Sequence, residues 1–116
     1  MIKVINKTIS VQELKKEAQQ VFGDMVKCVV DLDQKIMAIS GELHSNEEAV
    51  LLKQGSKQAN LWGINLYPDL FGEADWLEFN SMINIRPSAG NKTRGVENPE
   101  IRKKIIEIVG RLVTEA

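Results

Sequence analysis

Only one cysteine, one histidine and three prolines occur in the 116 residues, and each scarcity removes a class of protein. A single cysteine cannot form an internal disulfide. Cys28 lies in the apolar run "VKCVVDL", where a free thiol is expected to serve as a small buried hydrophobe. No activating base lies near it in sequence to make it a nucleophile. A lone histidine, His44, leaves any zinc site to be completed by carboxylates, and the two-histidine helical motif is absent. No metal or cofactor is therefore expected. An excess of either charge is also lacking: fifteen Lys and Arg against sixteen Asp and Glu give a net charge of −1. With no basic field to hold phosphates, nucleic acid is not an expected partner. No apolar run approaches the ~18–20 residues of a membrane span, and no cleavable leader is recognisable. These absences point to a cytoplasmic protein with no membrane partner.

What remains suits one α+β domain over residues 1–116, a length that supports a single core. Residues 2–5 alternate as a short strand. Ser10 and Glu13 form a capping box ahead of Val11, Leu14, Ala18, Val21 and Phe22 at helical spacing, and Gly23 offers a left-handed stop. "MVKCVVDL" at 25–32 and "IMAISGELH" at 36–44 read as two strands joined by the polar turn 33–35. Ser45 and Glu48 repeat the capping-box spacing before a short helix that ends near Gly55. "LWGINLYP" at 61–68 and "WLEFNSMINIR" at 76–86 read as strands, each followed by proline. Asn98-Pro99 opens a last helix with Ile101, Ile105, Ile108, Val109 and Leu112 on one stripe. The expected order is β-α-β-β-α-β-β-α, a mostly antiparallel sheet with its helices on one face.

Side chains alternate across a strand. On 76–86 the parity sends Leu77, Phe79, Ser81, Ile83 and Ile85 toward the helices. Trp76, Glu78, Asn80, Met82, Asn84 and Arg86 then face away. The outer face also gathers Lys27, Asp31, Ser40, Glu42 and His44, with Asn65 and Tyr67. Asparagine is disfavoured in strands, so Asn65 and Asn84 require partners. They are expected to find cross-strand amides, a ligand or a second copy of the chain.

Two groups of residues could carry chemistry. The loop "RPSAGNKTRG" offers Arg86 and Arg94 as guanidinium forks, Lys92 as a point charge, and Ser88, Asn91 and Thr93 as donors. That set suits a phosphate or carboxylate, with Asn84 adjoining, although it lacks the spacing of a phosphate-binding loop or dinucleotide fingerprint. The alternative for the loop is a solvated turn whose arginines pair with Glu97 or Glu100. The second group is Glu42 and His44, two apart on a strand and so on one face, an acid–base pair in outline. The alternative there is a hydrogen-bonded structural histidine. Trp62 and Trp76 are expected as core or interface anchors. Asp31 and Asp33 bracket a turn and are expected to serve it.

The blocks "GELHSNEEAVLLKQGS", "LWGINLYP" and "SMINIRPSAGN" resemble an uncharacterised family of short prokaryotic proteins, a domain of unknown function. The resemblance covers nearly the whole chain. It implies a prokaryotic, cytoplasmic, single-domain protein, and supplies no activity, cofactor or catalytic residue. The residues favour a small protein that binds an anionic ligand at the 86–95 loop through Arg86, Ser88, Asn91, Lys92, Arg94 and Asn84. Two other readings remain open. One is a hydrolase or transferase acting on a phosphorylated metabolite through Glu42 and His44. The other is a structural or regulatory homodimer with no ligand.

Overall fold

A computed structural model describes residues 1–115; the last residue of the expected domain, Ala116, lies outside the described residues. Five strands form one antiparallel sheet: β1 (Lys3–Ile5), β3 (Val26–Asp31), β4 (Ile36–Ile39), β5 (Leu61–Leu66) and β6 (Leu77–Glu78), in the order β1-β4-β3-β5-β6. Two further strands, β2 (Ile9–Ser10) and β7 (Val113–Thr114), pair in parallel and tie the two ends of the chain together. Three helices complete the fold: α1 (Val11–Val21), α2 (His44–Lys53) and α3 (Pro99–Leu112).

Local signals act as expected at both long helices. The Ser10 hydroxyl accepts from the Glu13 N–H at 3.1 Å while the Glu13 carboxylate takes the Ser10 N–H, closing the capping box. Asn98 caps α3 through the Glu100 N–H, with Pro99 in the first turn where no N–H is needed. The β3–β4 hairpin is organised by Asp31. Its carboxylate accepts from the backbones of Asp33 and Gln34 and from the Ser56 hydroxyl, which is turn chemistry, not catalysis.

The architecture is α+β, an antiparallel sheet with three helices. The helices do not share one face. Cys28, Val30, Met37, Ile39, Ile64 and Leu66 point toward α1 and α3, where Leu14, Ala18, Ile105 and Val109 meet them. Val29, Ala38 and Leu61 point the other way and pack against Leu51 of α2. The sequence signal for this is the unbroken apolar run Cys28-Val29-Val30. Continuous rather than alternating hydrophobicity belongs to a strand covered on both sides, and every β5 residue is likewise buried.

Two strands end earlier than expected. β4 stops at Ile39 because Ser40 turns into the left-handed region (φ 72°), held by its hydroxyl donating to Glu17 at 2.6 Å. Glu42 and His44 are therefore not on a strand. Helix α2 starts at His44 with Leu43 in the capping position and no side-chain cap, so the Ser45–Glu48 box does not form. The strand expected over 76–86 is two residues long. Beyond Glu78 the chain leaves the ladder, and Met82–Asn84 make a 3-10 turn capped by the Ser81 hydroxyl.

Candidate functional site

Strand β6 covers β5 only at Asn65 and Leu66, so the start of β5 has an open edge. Side chains close it. The Asn84 amide accepts from the Gly63 N–H at 2.8 Å and donates to the Gly63 carbonyl at 2.9 Å, as a neighbouring strand would. It also donates to the Arg94 carbonyl at 3.0 Å. One amide offers a donor and an acceptor side by side, which lets it stand in for a peptide group. Arg86 continues the edge, donating through Nη2 to the Leu61 carbonyl and through Nε to the Ile83 carbonyl. Behind it, Asn91 knots the loop. Its Nδ2 donates to the carbonyls of Asn84, Thr93 and Gly95, and its Oδ1 accepts from the Glu97 N–H.

Close approach at Gly63 makes this arrangement possible. A Cβ there would sit 2.5 Å from both Cβ and Oγ of buried Ser81 and 3.2 Å from the His44 ring. Gly63→Ala is expected to lower stability by about 1–3 kcal/mol through overpacking. Urea denaturation measures it; an unchanged midpoint would show that Ser81 can move aside.

Outside the Asn84 edge lies an open cleft of about 470 Å³ between the first turns of α2, the start of β5 and residues 82–89. The Arg86 guanidinium stacks over the Trp62 ring, 4.6 Å from its centroid. Glu48 of α2 approaches Arg86 Nη2 at 4.0 Å, an ion pair with no hydrogen bond to the Glu48 Oε2 oxygen. Burial lowers the Arg86 pKa from its ordinary value, with Glu48 acting in opposition. Met82 and Ile85, 65% and 38% exposed, line the apolar part of the cleft.

The expected site residues are partly brought together here. Arg86 and Ser88 line the cleft. Lys92 and Arg94 have exposed side chains on the loop beyond it. Asn84 and Asn91 are buried, with 0% and 4% exposure, and their amides are committed to backbone. They build the loop and do not line the cleft. Strand parity does not carry past the end of a pleat: Asn84 turns inward and Ile85 outward once the chain leaves the sheet at Glu78. The contributors not foreseen for this site are Glu48 and Trp62, each on an element remote in sequence.

A family model matches residues 3–112, from β1 to the last turn of α3. The chain belongs to DUF5674, a family of proteins of unknown function. No curated protein and no solved structure matches it.

The DUF5674 chain keeps a second polar group beneath α2. His44, 7% exposed, bonds the Ile64 carbonyl through Nε2 at 2.7 Å, and burial lowers its pKa from the ordinary value. Glu42 is exposed in the bend after β4, so the expected Glu–His pair is not assembled as two neighbours on one strand. The carbonyls of Ile64 and Leu61, to which His44 and Arg86 are bonded, are three residues apart on β5, roughly 10 Å at about 3.3 Å per residue. Glu47 is fully buried, accepts from the Gly41 N–H at 2.9 Å, and is pushed by burial to a pKa of about 9. Among the described residues of this DUF5674 chain, no group of three or more His, Cys, Asp or Glu side chains is placed to hold a metal ion. No helix there is long and apolar enough to cross a membrane.

Proposed function

We propose that this DUF5674 chain is a small single-domain cytoplasmic binding protein that holds an amphipathic carboxylate in the Arg86 cleft. The observation that carries this reading is the Arg86 guanidinium, oriented by two backbone carbonyls and stacked on Trp62 at the wall of an open cleft. The cleft volume of about 470 Å³ falls within the roughly 300–1,000 Å³ of small-ligand sites. Nε and Nη2 are engaged with backbone, so the ligand would be met by the Nη1 end. Met82 and Ile85 would cover its hydrocarbon part. Glu48 opposes a dianion such as phosphate more strongly than a singly charged carboxylate, and so favours the latter. Lys92 and Arg94 lie outside the cleft and would steer an anion without gripping it.

Binding is measured by NMR titration with hexanoate, hexylamine and inorganic phosphate. Hexanoate is expected to bind, with shifts centred on Arg86 and Met82, and the other two are not. Glu48→Gln should tighten hexanoate several-fold by removing a like charge. Ala59→Trp, at an exposed position lining the cleft, should abolish binding with the fold intact. Equal responses to hexanoate and hexylamine, or hexanoate binding that survives Ala59→Trp, would overturn the proposal.

A further inference from the structure

On the opposite side of β6 a second open groove of about 450 Å³ runs between α3 and residues 71–79. Its walls are Phe71, Trp76, Leu77 and Phe79, with Ile106 and Gly110 from α3. Phe71 and Trp76 pack edge to face with centroids 4.9 Å apart, so this wall is ordered by its own aromatic contact. Ile106 is 54% exposed, and nothing lies within 4 Å of where a Gly110 Cβ would stand. One helical turn of α3 therefore presents an apolar knob followed by an open notch.

The charges around this groove are segregated. Residues 58–85 contain no Lys, Arg or His but hold Asp69, Glu73, Asp75 and Glu78. The stripe of α3 that carries Ile106 also carries exposed Arg102 and Lys103, one turn earlier. Glu73, Asp75, Arg102 and Lys103 take part in none of the ion pairs among the described residues. A groove with an acidic rim thus lies beside a knob flanked by cations, on one surface.

We infer that this groove is the self-association surface of the protein, occupied by α3 of a second copy of the chain. Knob, notch, acidic rim and basic flank all occur on one patch, which is the condition for a closed two-fold contact in which residue i meets j and j meets i. Ile106 of each copy enters the notch at the other's Gly110. Arg102 and Lys103 then approach the acidic segment around Glu73 and Asp75 of the other copy. Among possible occupants, a second copy is favoured because the complementary charge pattern is already in this chain. The surface is separate from the Arg86 cleft, and it does not depend on what that cleft binds.

Sedimentation equilibrium of the full chain across a concentration series tests the inference, with circular dichroism to verify the fold. The wild type is expected to be dimeric, and added salt to weaken the dimer. Ile106→Asp and Gly110→Leu should each give a folded monomer. Both positions are exposed, and Leu is the better helix former at 110. Arg102→Glu with Lys103→Glu should weaken the dimer, and adding Glu73→Lys with Asp75→Lys should restore it. A wild type that is monomeric at every concentration would overturn the inference. So would a dimer that persists in both Ile106→Asp and Gly110→Leu.

Discussion

Asn84→Asp is expected to cost about 3–5 kcal/mol of folding stability, although it exchanges one NH2 group for an oxygen. The aspartate can still accept from the Gly63 N–H. It cannot donate to the carbonyls of Gly63 and Arg94, and it sets a buried negative charge against both. Asn98→Asp serves as the control. Asn98 only accepts, from the Glu100 N–H at a helix start, where Asp caps about as well as Asn. Its expected change is within about 0.5 kcal/mol. Urea denaturation of both variants decides the matter. Equal stabilities would mean that the 81–97 segment does not hold the edge of β5 through Asn84.

The second large effect is a fall in stability as pH rises through neutrality. The pKa of Glu47 is raised from its ordinary value of 4.5 to about 9 by burial, the largest influence on it, partly opposed by the Gly41 N–H and by Lys27. The folded state therefore keeps a proton that the unfolded chain loses. Stability is fully present below pH 4.5 as far as this group is concerned, and is lost as pH rises toward 9, at about 1.4 kcal/mol per pH unit. His44 acts in the opposite sense at the acid end. Its folded pKa is below the ordinary 6.5, so protonation of the unfolded chain costs stability as pH falls through that value. Above 6.5 the Glu47 slope stands without that opposition. Glu47→Gln should flatten the dependence between pH 7 and pH 9, read from denaturation midpoints across that range. Parallel profiles for the variant and the wild type would show that Glu47 is ionised in the fold. The same burial raises the Cys28 thiol well above its usual pKa, in keeping with a hydrophobe and not a nucleophile.

Strong local signals act in the fold as their spacing predicts. The Ser10–Glu13 box, the Asn98-Pro99 helix start and the Asp31 turn all follow from residues within a few positions of one another. The Ser45–Glu48 spacing was the same kind of signal and did not operate, because packing of His44, Glu47 and Leu51 against the sheet draws the helix start back to His44. Within the candidate site, Arg86 and Ser88 were legible as loop residues beside a strand end. Glu48 and Trp62 were not, since each reaches the cleft from another element.

The α+β class, the order of the main elements, the hairpin and the caps of the long helices follow from the residues alone, because hydrophobic period and capping chemistry act over one or two turns. Packing between distant segments settles which way Asn84 and Ile85 face and that Glu48 meets Arg86. Those outcomes rest on backbone groups of β5 left without a neighbouring strand. Their demand for partners is met by side chains some twenty residues away, and no local pattern encodes that distance.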